Sequence, residues 1–135
     1  MNTAESTVRR YYAAFNAKDY TAMLAEVAED IRHDVNQGEV RRGKALFQEF
    51  VHMMDRAYRE TLTDMVFFTE PSGQRVAVEF VVNGEYLHGE PDMPPAHGQR
   101  YVLPAGAFLE VRDGKVCRVT TYYNAQDWLR QVSES

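Results

Sequence analysis

The chain has 135 residues, of which 44% are apolar, and it carries a formal net charge of −5. That length fits one domain with a sizeable hydrophobic core. Because Lys and Arg are scattered and the net charge is negative, the composition excludes a surface that tracks nucleic-acid phosphates.

Cysteine, histidine and hydropathy patterns limit the setting further. Cys117 is the only cysteine, so the sequence predicts neither a disulfide framework nor a thiolate metal cluster. The 4 histidines show no metal-ligand spacing. No apolar stretch approaches transmembrane length, and the N-terminal residues lack the basic and apolar segments of a signal peptide. We therefore expect a cytoplasmic protein with no metal, membrane or nucleic-acid partner.

The first third of the chain is predicted to be mostly helical. Residues 8–15 and 20–27 each place apolar side chains at i, i+3, i+4 and i+7, which is the spacing of one helix face. Asp19 can cap the second helix by accepting a hydrogen bond from a free N–H group. A short strand is predicted near residues 31–36, and a third amphipathic helix over residues 46–58.

From residue 61 onward the pattern changes to strands. Segments rich in β-branched and aromatic residues predict strands over 61–69, 75–86, 100–111 and 115–124. Asp113-Gly114 is a strong hairpin signal. Residues 89–98 contain three prolines and predict a loop. Asn124 can cap a final short helix.

Helices followed by an antiparallel meander predict an α+β domain. We expect a cone-shaped, strongly curved, mostly antiparallel sheet, with the N-terminal helices closing its concave face and leaving a pocket. In the strand over 75–86, Val76 and Val78 alternate with Ala77 and Val81, which predicts burial on both faces. A second copy of the chain is the simplest cover for the convex face, so we expect a homodimer through the sheet.

Two polar groups are predicted to enter this pocket. Tyr11 lies on the apolar face of the first helix, and Asp34 stands among apolar residues of the first strand. A phenol and a carboxylate in one apolar pocket form a proton-transfer arrangement, because such a pocket raises the pKa of the carboxylate toward that of a useful base. The alternatives are plain core packing for Tyr11 and a solvent-facing strand end for Asp34.

The chain resembles the nuclear transport factor 2-like superfamily over nearly its whole length. This resemblance is carried by the order of elements, the Tyr-x-x-x-Phe-Asn-Ala-x-Asp motif that begins at Tyr11 in the first helix, the helix start at Arg42-Gly43-Lys44 and the Pro94-Pro95 loop. Within the superfamily, the ketosteroid isomerase and SnoaL-like polyketide cyclase branch is the closest match. The resemblance implies a single domain over residues 1–135, in a superfamily that also contains dehydratases, hydrolases and non-catalytic binders.

The resemblance also implies roles for individual residues. Tyr11 corresponds to the hydrogen-bond donor for an oxyanion, and Asp34 corresponds to the base. The second acid of the ketosteroid isomerase set falls near Gly106, which has no donor. Losing one such donor typically costs roughly 3 kcal/mol of transition-state stabilisation. Proton abstraction by Asp34 from a substrate other than a steroid is compatible with the remaining pair.

Two histidines flank the proline-rich loop, His88 and His97. Because the dehydratase branch pairs pocket histidines with an aspartate and tyrosines, the resemblance implies a second assignment in which they supply the missing acid. Solvated loop histidines are the alternative. The other residues predicted to line the pocket are Asn36, Tyr58, Phe80, Phe108, Thr121 and Tyr123.

We therefore predict an isomerase- or cyclase-type enzyme without a cofactor, which acts on a small hydrophobic carbonyl compound bound in the cone. Asp34 would remove a proton and Tyr11 would stabilise the enolate oxygen. One alternative, favoured by Gly106, is a non-catalytic ligand-binding or dimerisation module of the same fold. Another is a dehydratase that uses Asp34 with His88 and His97.

Overall fold

A computed structural model describes residues 3–35 and 38–133. In chain order these residues form α1 (Ala4–Asn16), α2 (Tyr20–Ala25), β1 (Val27–Val35), β2 (Glu39–Arg42), α3 (Lys44–Ala57), β3 (Tyr58–Thr69), β4 (Arg75–Tyr86), β5 (Gln99–Arg112), β6 (Lys115–Tyr123) and α4 (Ala125–Ser133). The expected α+β class is confirmed. Within the described ranges, no helix combines the length and the apolar character needed to cross a membrane.

The six strands form a single curled, unclosed sheet in the order β2-β1-β6-β5-β4-β3. All neighbouring strands are antiparallel except β1 and β6, which run parallel. The two-residue hairpin at Asp113-Gly114 connects β5 and β6, and both residues have positive φ, at 52° and 74°. Positive φ at both central positions is what a type I′ turn requires, so the sequence signal acts as predicted.

Two element boundaries and one strand differ from the prediction. The second helix ends at Ala25, and Val27 starts β1 by pairing with Val116 of β6. Val27 fits the apolar spacing of the predicted helix, but its side chain is apolar because the sheet buries it. Strand β2 was not predicted, because its four residues are charged or exposed and carry no buried face.

The helices cover one face of the sheet, here called the concave face. Tyr12 of α1 packs on Phe80 of β4, with ring centroids 5.6 Å apart. Because paired residues on neighbouring strands point to the same side, Val78, Ala107 and Thr121 also lie on this face. The opposite, convex face carries large apolar side chains that are 45–55% exposed, namely Val66, Phe68, Val102, Phe108 and Tyr122.

Side-chain amides cover two free strand edges. Asn16 of α1 accepts a hydrogen bond from Leu62 N and donates one to Leu62 O, both at 2.9 Å, on the outer edge of β3. Gln131 of α4 makes the same pair of bonds, again at 2.9 Å, with Val102 where β5 extends beyond β6. Each amide therefore satisfies backbone groups that a neighbouring strand would otherwise have to pair.

Candidate functional site

Asp34 lies on the convex face, away from the helices. It pairs with Thr120 of β6, which pairs in turn with Phe108 of β5. Because paired residues point to the same side, Asp34 shares the convex face with Phe108. Its carboxylate accepts hydrogen bonds from Arg32 Nε at 2.7 Å and Arg118 Nε at 3.0 Å. Partial burial would raise the pKa of Asp34, but the hydrogen bonds and charges of the two guanidinium groups outweigh it and lower the pKa. Asp34 is thus a paired anion whose basicity is reduced.

Tyr11 lies on the other side of the sheet, inside the core. Its residue is 4% exposed, and its ring meets Tyr12 edge to face at 4.9 Å. Burial raises the pKa of Tyr11 well above its ordinary value. The structure therefore does not bring Tyr11 and Asp34 together, because strand alternation turns residue 34 outward.

His33 takes the inward position that the sequence prediction gave to Asp34. Its ring packs against Phe47 and Phe50 of α3, with centroids 5.3 Å and 4.5 Å away. Burial, reinforced by the charge of Arg41, lowers the pKa of His33. Its Nδ1 atom is buried and finds no hydrogen-bond partner in the described part of the protein. This side chain is held as a neutral core group.

The segment around Gly106 also differs from the expectation. Gly106 pairs with Tyr122 and with Glu79, so it belongs to the convex face. The inward neighbours are Ala105 and Ala107, which likewise offer no acidic donor. Phe108, predicted to line the pocket, lies instead on the convex face, where its ring meets Tyr122 at 5.8 Å.

The remaining predicted pocket residues divide into two groups. His88 and His97 are exposed in the loop before β5, and the structure does not bring them to Asp34. Phe80, Thr121, Tyr58 and Tyr123 all lie on the concave face. Asn36 lies outside the described residues.

Three strands place a carboxylate, a glycine and a phenol in one row of the concave face. Glu60 of β3 pairs with Gly84 of β4, which pairs with Tyr101 of β5. A Cβ atom on Gly84 would lie 2.2 Å from Cζ of Tyr101, so the ring fits there only because residue 84 has no side chain. The Tyr101 hydroxyl reaches across Gly84 and donates a hydrogen bond to Oε2 of Glu60 at 2.5 Å.

The carboxylate of Glu60 is partly buried and differs from that of Asp34 in its partners. No described Lys, Arg or His forms an ion pair with it, although Lys18 Nζ donates a hydrogen bond to the backbone carbonyl of Glu60. Burial raises the pKa of Glu60; the Tyr101 hydrogen bond and the charge of Lys18 oppose this, and the net shift is upward. Glu60 is therefore the more basic of the two carboxylates.

Aromatic side chains surround this row. Trp128 of α4 contacts Tyr58, Tyr86 and Tyr101, with ring centroids 6.0, 5.1 and 6.2 Å away. Tyr58 and Tyr86 stack at 5.7 Å. Tyr123 is 44% exposed, which leaves this end of the concave face open to solvent. We call Tyr58, Glu60, Tyr101, Tyr123 and Trp128 the Glu60 cluster.

Two hydroxyl groups of the Glu60 cluster are available to a ligand. Among the described residues, none hydrogen-bonds to the hydroxyl of Tyr58 or of Tyr123. Burial, together with neighbouring tyrosines and acidic groups, raises the pKa of Tyr58 to about 12. Burial, with the charge of Glu60, also raises the pKa of Tyr123. Both phenols are therefore neutral donors at physiological pH.

Other features of the described surface are less suited to this chemistry. A cleft of about 590 Å³ lies beside α3 and is lined mainly by charged and polar side chains, including Arg41, Glu49 and Arg56. In residues 3–35 and 38–133, no three His, Cys, Asp or Glu side chains converge in a way that would hold a metal ion.

The sequence and the fold both match known proteins. A family model for the SnoaL-like domain matches residues 8–119. The chain belongs to the SnoaL-like domain family. Its cone fold is that of the nuclear transport factor 2-like superfamily. No curated protein matches the sequence.

Several solved structures are similar to this SnoaL-like domain. A provisionally assigned polyketide cyclase from Pseudomonas putida KT2440 is 52% identical, with a TM-score of 0.93 over 96% of this chain and 98% of that chain. Another, from Silicibacter sp. TM1040, is 48% identical, with a TM-score of 0.93 over 98% and 96%. A provisionally assigned ketosteroid isomerase from Kribbella flavida DSM 17836 is 26% identical, with a TM-score of 0.64 over 90% and 77%.

The SnoaL-like match includes both carboxylates but not the whole Glu60 cluster. Asp34, Glu60 and Tyr101 lie within residues 8–119, whereas Tyr123 and Trp128 follow them. The open end of the concave face in this SnoaL-like domain is therefore built partly by the C-terminal segment.

Proposed function

We propose that this SnoaL-like domain is an enzyme of the cyclase or isomerase type that needs no cofactor and moves a proton on a small hydrophobic carbonyl compound. The observation that carries the proposal is the Glu60 cluster. There, a carboxylate with a raised pKa lies near Tyr58 and Tyr123, whose hydroxyl groups have no hydrogen-bond partner among the described residues, on a surface made of aromatic rings. The similarity to provisionally assigned polyketide cyclases supports the same reaction class.

The chemistry follows from these groups. Removing a proton next to a carbonyl group requires a base whose pKa is not far below the working pH, and hydrogen-bond donors for the oxygen that becomes negative. Burial moves the pKa of the Glu60 carboxyl toward the first requirement, and neutral tyrosine hydroxyls meet the second. The aromatic rings beside the base offer an apolar ligand a surface to pack against.

The pair formed by Tyr11 and Asp34 is a second version of the same proposal. It rests on the resemblance to ketosteroid isomerase, whereas the two guanidinium groups beside Asp34 argue against that carboxylate as a base. Asp34→Asn separates the versions, because turnover equal to that of the wild type would leave Asp34 only its ion-pair role.

Proton exchange provides a direct test that does not depend on the natural substrate. We expect the protein to accelerate deuterium incorporation next to the carbonyl group of 2-tetralone in D2O, followed by loss of the proton signal in NMR spectra. Tetralin has the same shape but no carbonyl group, so it is the matched control ligand and should raise Tm less than 2-tetralone does. The absence of both exchange and binding would contradict the proposal. A β,γ-unsaturated ketosteroid, followed by enone absorbance, tests the steroid version separately.

A non-catalytic binding module is the second candidate. The observation in its favour is that Tyr11, Tyr12 and Phe80 fill the space between α1 and the sheet as core residues. Stabilisation of the protein by 2-tetralone without any deuterium exchange would support it. The dehydratase version has less support, because His88 and His97 are exposed in the loop before β5, whereas Asp34 belongs to β1 and lies on the convex face.

A further inference from the structure

Glu60 combines features that are unusual for a structural carboxylate. A partly buried carboxylate is normally stabilised by a cationic partner, as Asp34 is by Arg32 and Arg118. Glu60 has no such ion pair among the described residues. Among the described residues, Tyr101 donates a hydrogen bond to Oε2 of Glu60, and no described donor reaches Oε1. One carboxylate oxygen therefore remains free to accept a proton.

The register of three strands fixes this carboxylate. Glu60, Gly84 and Tyr101 occupy one row. Because Gly84 has no side chain, the Tyr101 ring occupies the space above it and reaches Glu60. Contacts with Trp128 at 6.2 Å and Tyr58 at 6.4 Å hold that ring. The Tyr101 residue is 1% exposed, so its hydroxyl is committed to Glu60 rather than to solvent. Such rigid support is what a catalytic group requires.

We propose that Glu60 is the proton acceptor of this domain, that Tyr101 is a positioning residue held across Gly84, and that the ligand is a carbon acid bound against the rings of Tyr58 and Tyr123. The carbonyl form of this ligand rests on the proposed function above. The assignment of the base does not rest on it, because proton removal by Glu60 can be measured with any carbon acid of suitable size.

The step balances within the substrate and Glu60. Oε1 of Glu60 takes a proton from the carbon next to the carbonyl group. The electron pair of the broken C–H bond forms a C=C bond, while the C=O π pair moves onto oxygen. The hydroxyl of Tyr58 or Tyr123 donates a hydrogen bond to that oxygen. If a second C=C bond is conjugated with the enolate, return of the proton from Glu60 to the far end of that bond completes an isomerisation. If the enolate carbon instead attacks a second carbonyl group, a C–C bond and an alkoxide form, and the alkoxide takes the proton back from Glu60 to complete a cyclisation.

The titration of Glu60 depends on groups from several elements. Lys18 and Tyr20 approach it from the helical side, and Tyr58, Tyr101 and Tyr123 from the sheet. Asp55 and Arg59 act on Lys18 and so influence Glu60 indirectly. Burial raises the pKa of Glu60 above the ordinary 4.5, against the opposing effects of Tyr101 and Lys18. The rate of a Glu60-dependent reaction should therefore rise with pH through a midpoint above 4.5.

Ring opening of 5-nitrobenzisoxazole tests the base without a carbonyl substrate. A base takes the proton bound to C3, the C–H electron pair forms the nitrile, and the N–O bond breaks to release a coloured phenolate. We expect the wild type to accelerate this reaction and Glu60→Gln to lose roughly 100-fold, which is the usual contribution of a general base. Glu79→Gln removes an exposed carboxylate from the convex face of β4 and should retain the wild-type rate.

Two further variants test the positioning residues through the pH profile. Tyr101→Phe removes the hydrogen bond that lowers the pKa of Glu60, so the midpoint of the profile should move to higher pH. Gly84→Ala should displace the Tyr101 ring and shift the midpoint in the same direction. Gly106→Ala is its matched control on the neighbouring strand, because there a Cβ atom would lie 3.4 Å from Val78 O, an ordinary contact.

The outcomes separate this proposal from the proposed function. A wild-type rate no faster than buffer, or an unchanged rate and profile in Glu60→Gln, would overturn the assignment of Glu60. If Glu60→Gln does not fold, as judged by its circular dichroism and Tm, an unchanged midpoint in Tyr101→Phe overturns it instead. Glu60-dependent ring opening without any deuterium exchange into 2-tetralone would retain the base and reject the carbonyl substrate.

Discussion

At the scale of single residues, the titratable side chains of this domain have contrasting surroundings. Asp34 is paired with two guanidinium groups, Glu60 is partly buried beside one phenol, and His33 is buried between aromatic rings. Pairing lowers the pKa of Asp34, whereas burial raises that of Glu60 and lowers that of His33. The environment, and not only the residue type, therefore decides in which direction the pKa of each group moves.

His33 should make the stability of the protein depend on pH. Its pKa in the folded state is below the ordinary 6.5, so the unfolded chain binds the proton more readily. The contribution of His33 to the free energy of unfolding should therefore be constant above about pH 7 and fall as pH drops below about 6.5, by at most about 1.4 kcal/mol per pH unit for one proton. Tm measured between pH 7 and pH 5 should fall less in His33→Phe than in the wild type. His52→Gln, at an exposed position of α3, should follow the wild type. Identical slopes in all three proteins would contradict this expectation.

At the scale of elements, long strands could be predicted from sequence more reliably than the side of the sheet that each residue faces. The β-branched runs indicate β4, β5 and β6 to within two residues, because their composition is set by burial. The face of β1 could not be predicted in the same way, since both Asp34 and His33 are polar and the sequence does not show which of them α3 buries.

The Glu60 cluster shows why part of the candidate site is invisible in the sequence. Glu60 and Tyr101 are 41 residues apart, and only the register of β3, β4 and β5 brings them into one row. Tyr58 and Tyr123 were predicted to line the pocket, and both lie on the concave face. The one local signal that was missed is Gly84, because a glycine inside a buried strand often marks the close approach of another group.

The side-chain amides on the strand edges should protect particular backbone groups. Asn16→Ala removes the acceptor for Leu62 N–H, and Gln131→Ala removes the acceptor for Val102 N–H. Since one such hydrogen bond contributes about 0.5–1.5 kcal/mol, we expect amide hydrogen exchange to accelerate roughly 2- to 10-fold at the affected residue. Each variant is the control for the other, because Asn16→Ala should leave Val102 unchanged and Gln131→Ala should leave Leu62 unchanged. Equal acceleration at both amides in either variant would indicate global destabilisation instead.

At the scale of the whole molecule, the convex face is too apolar to be explained as an ordinary solvent-exposed surface. Val66, Phe68, Phe108 and Tyr122 are each 45–55% exposed on the same side of the sheet. Beside them lies a group of ion pairs in which Arg118 contacts both Asp34 and Glu110. Large exposed apolar patches mark interaction sites, and a surface that carries charges of both signs can pair with its own copy. We therefore expect a homodimer through this face.

Two matched substitutions test the dimer. Phe108→Arg places a charge in the convex face, and Leu46→Arg places the same charge on α3, where the side chain is similarly exposed, at 44% against 48%. We expect light scattering after size exclusion to give twice the monomer mass for the wild type and for Leu46→Arg, and the monomer mass for Phe108→Arg. A monomeric wild type, or a dimer that survives Phe108→Arg, would reject this interface.

The parallel pairing of β1 with β6 affects how the chain acquires its structure during synthesis. Strand β1 ends at Val35, but its inner neighbour β6 begins only at Lys115. While the ribosome makes the intervening residues, the hairpin of β1 and β2 has an unsatisfied edge, and its His33 side is covered only once α3 has been made. Pairing between strands so far apart in sequence is slow, and transiently exposed strand edges favour aggregation. The hairpin is therefore the part of the nascent chain in which a chaperone would have the most to protect.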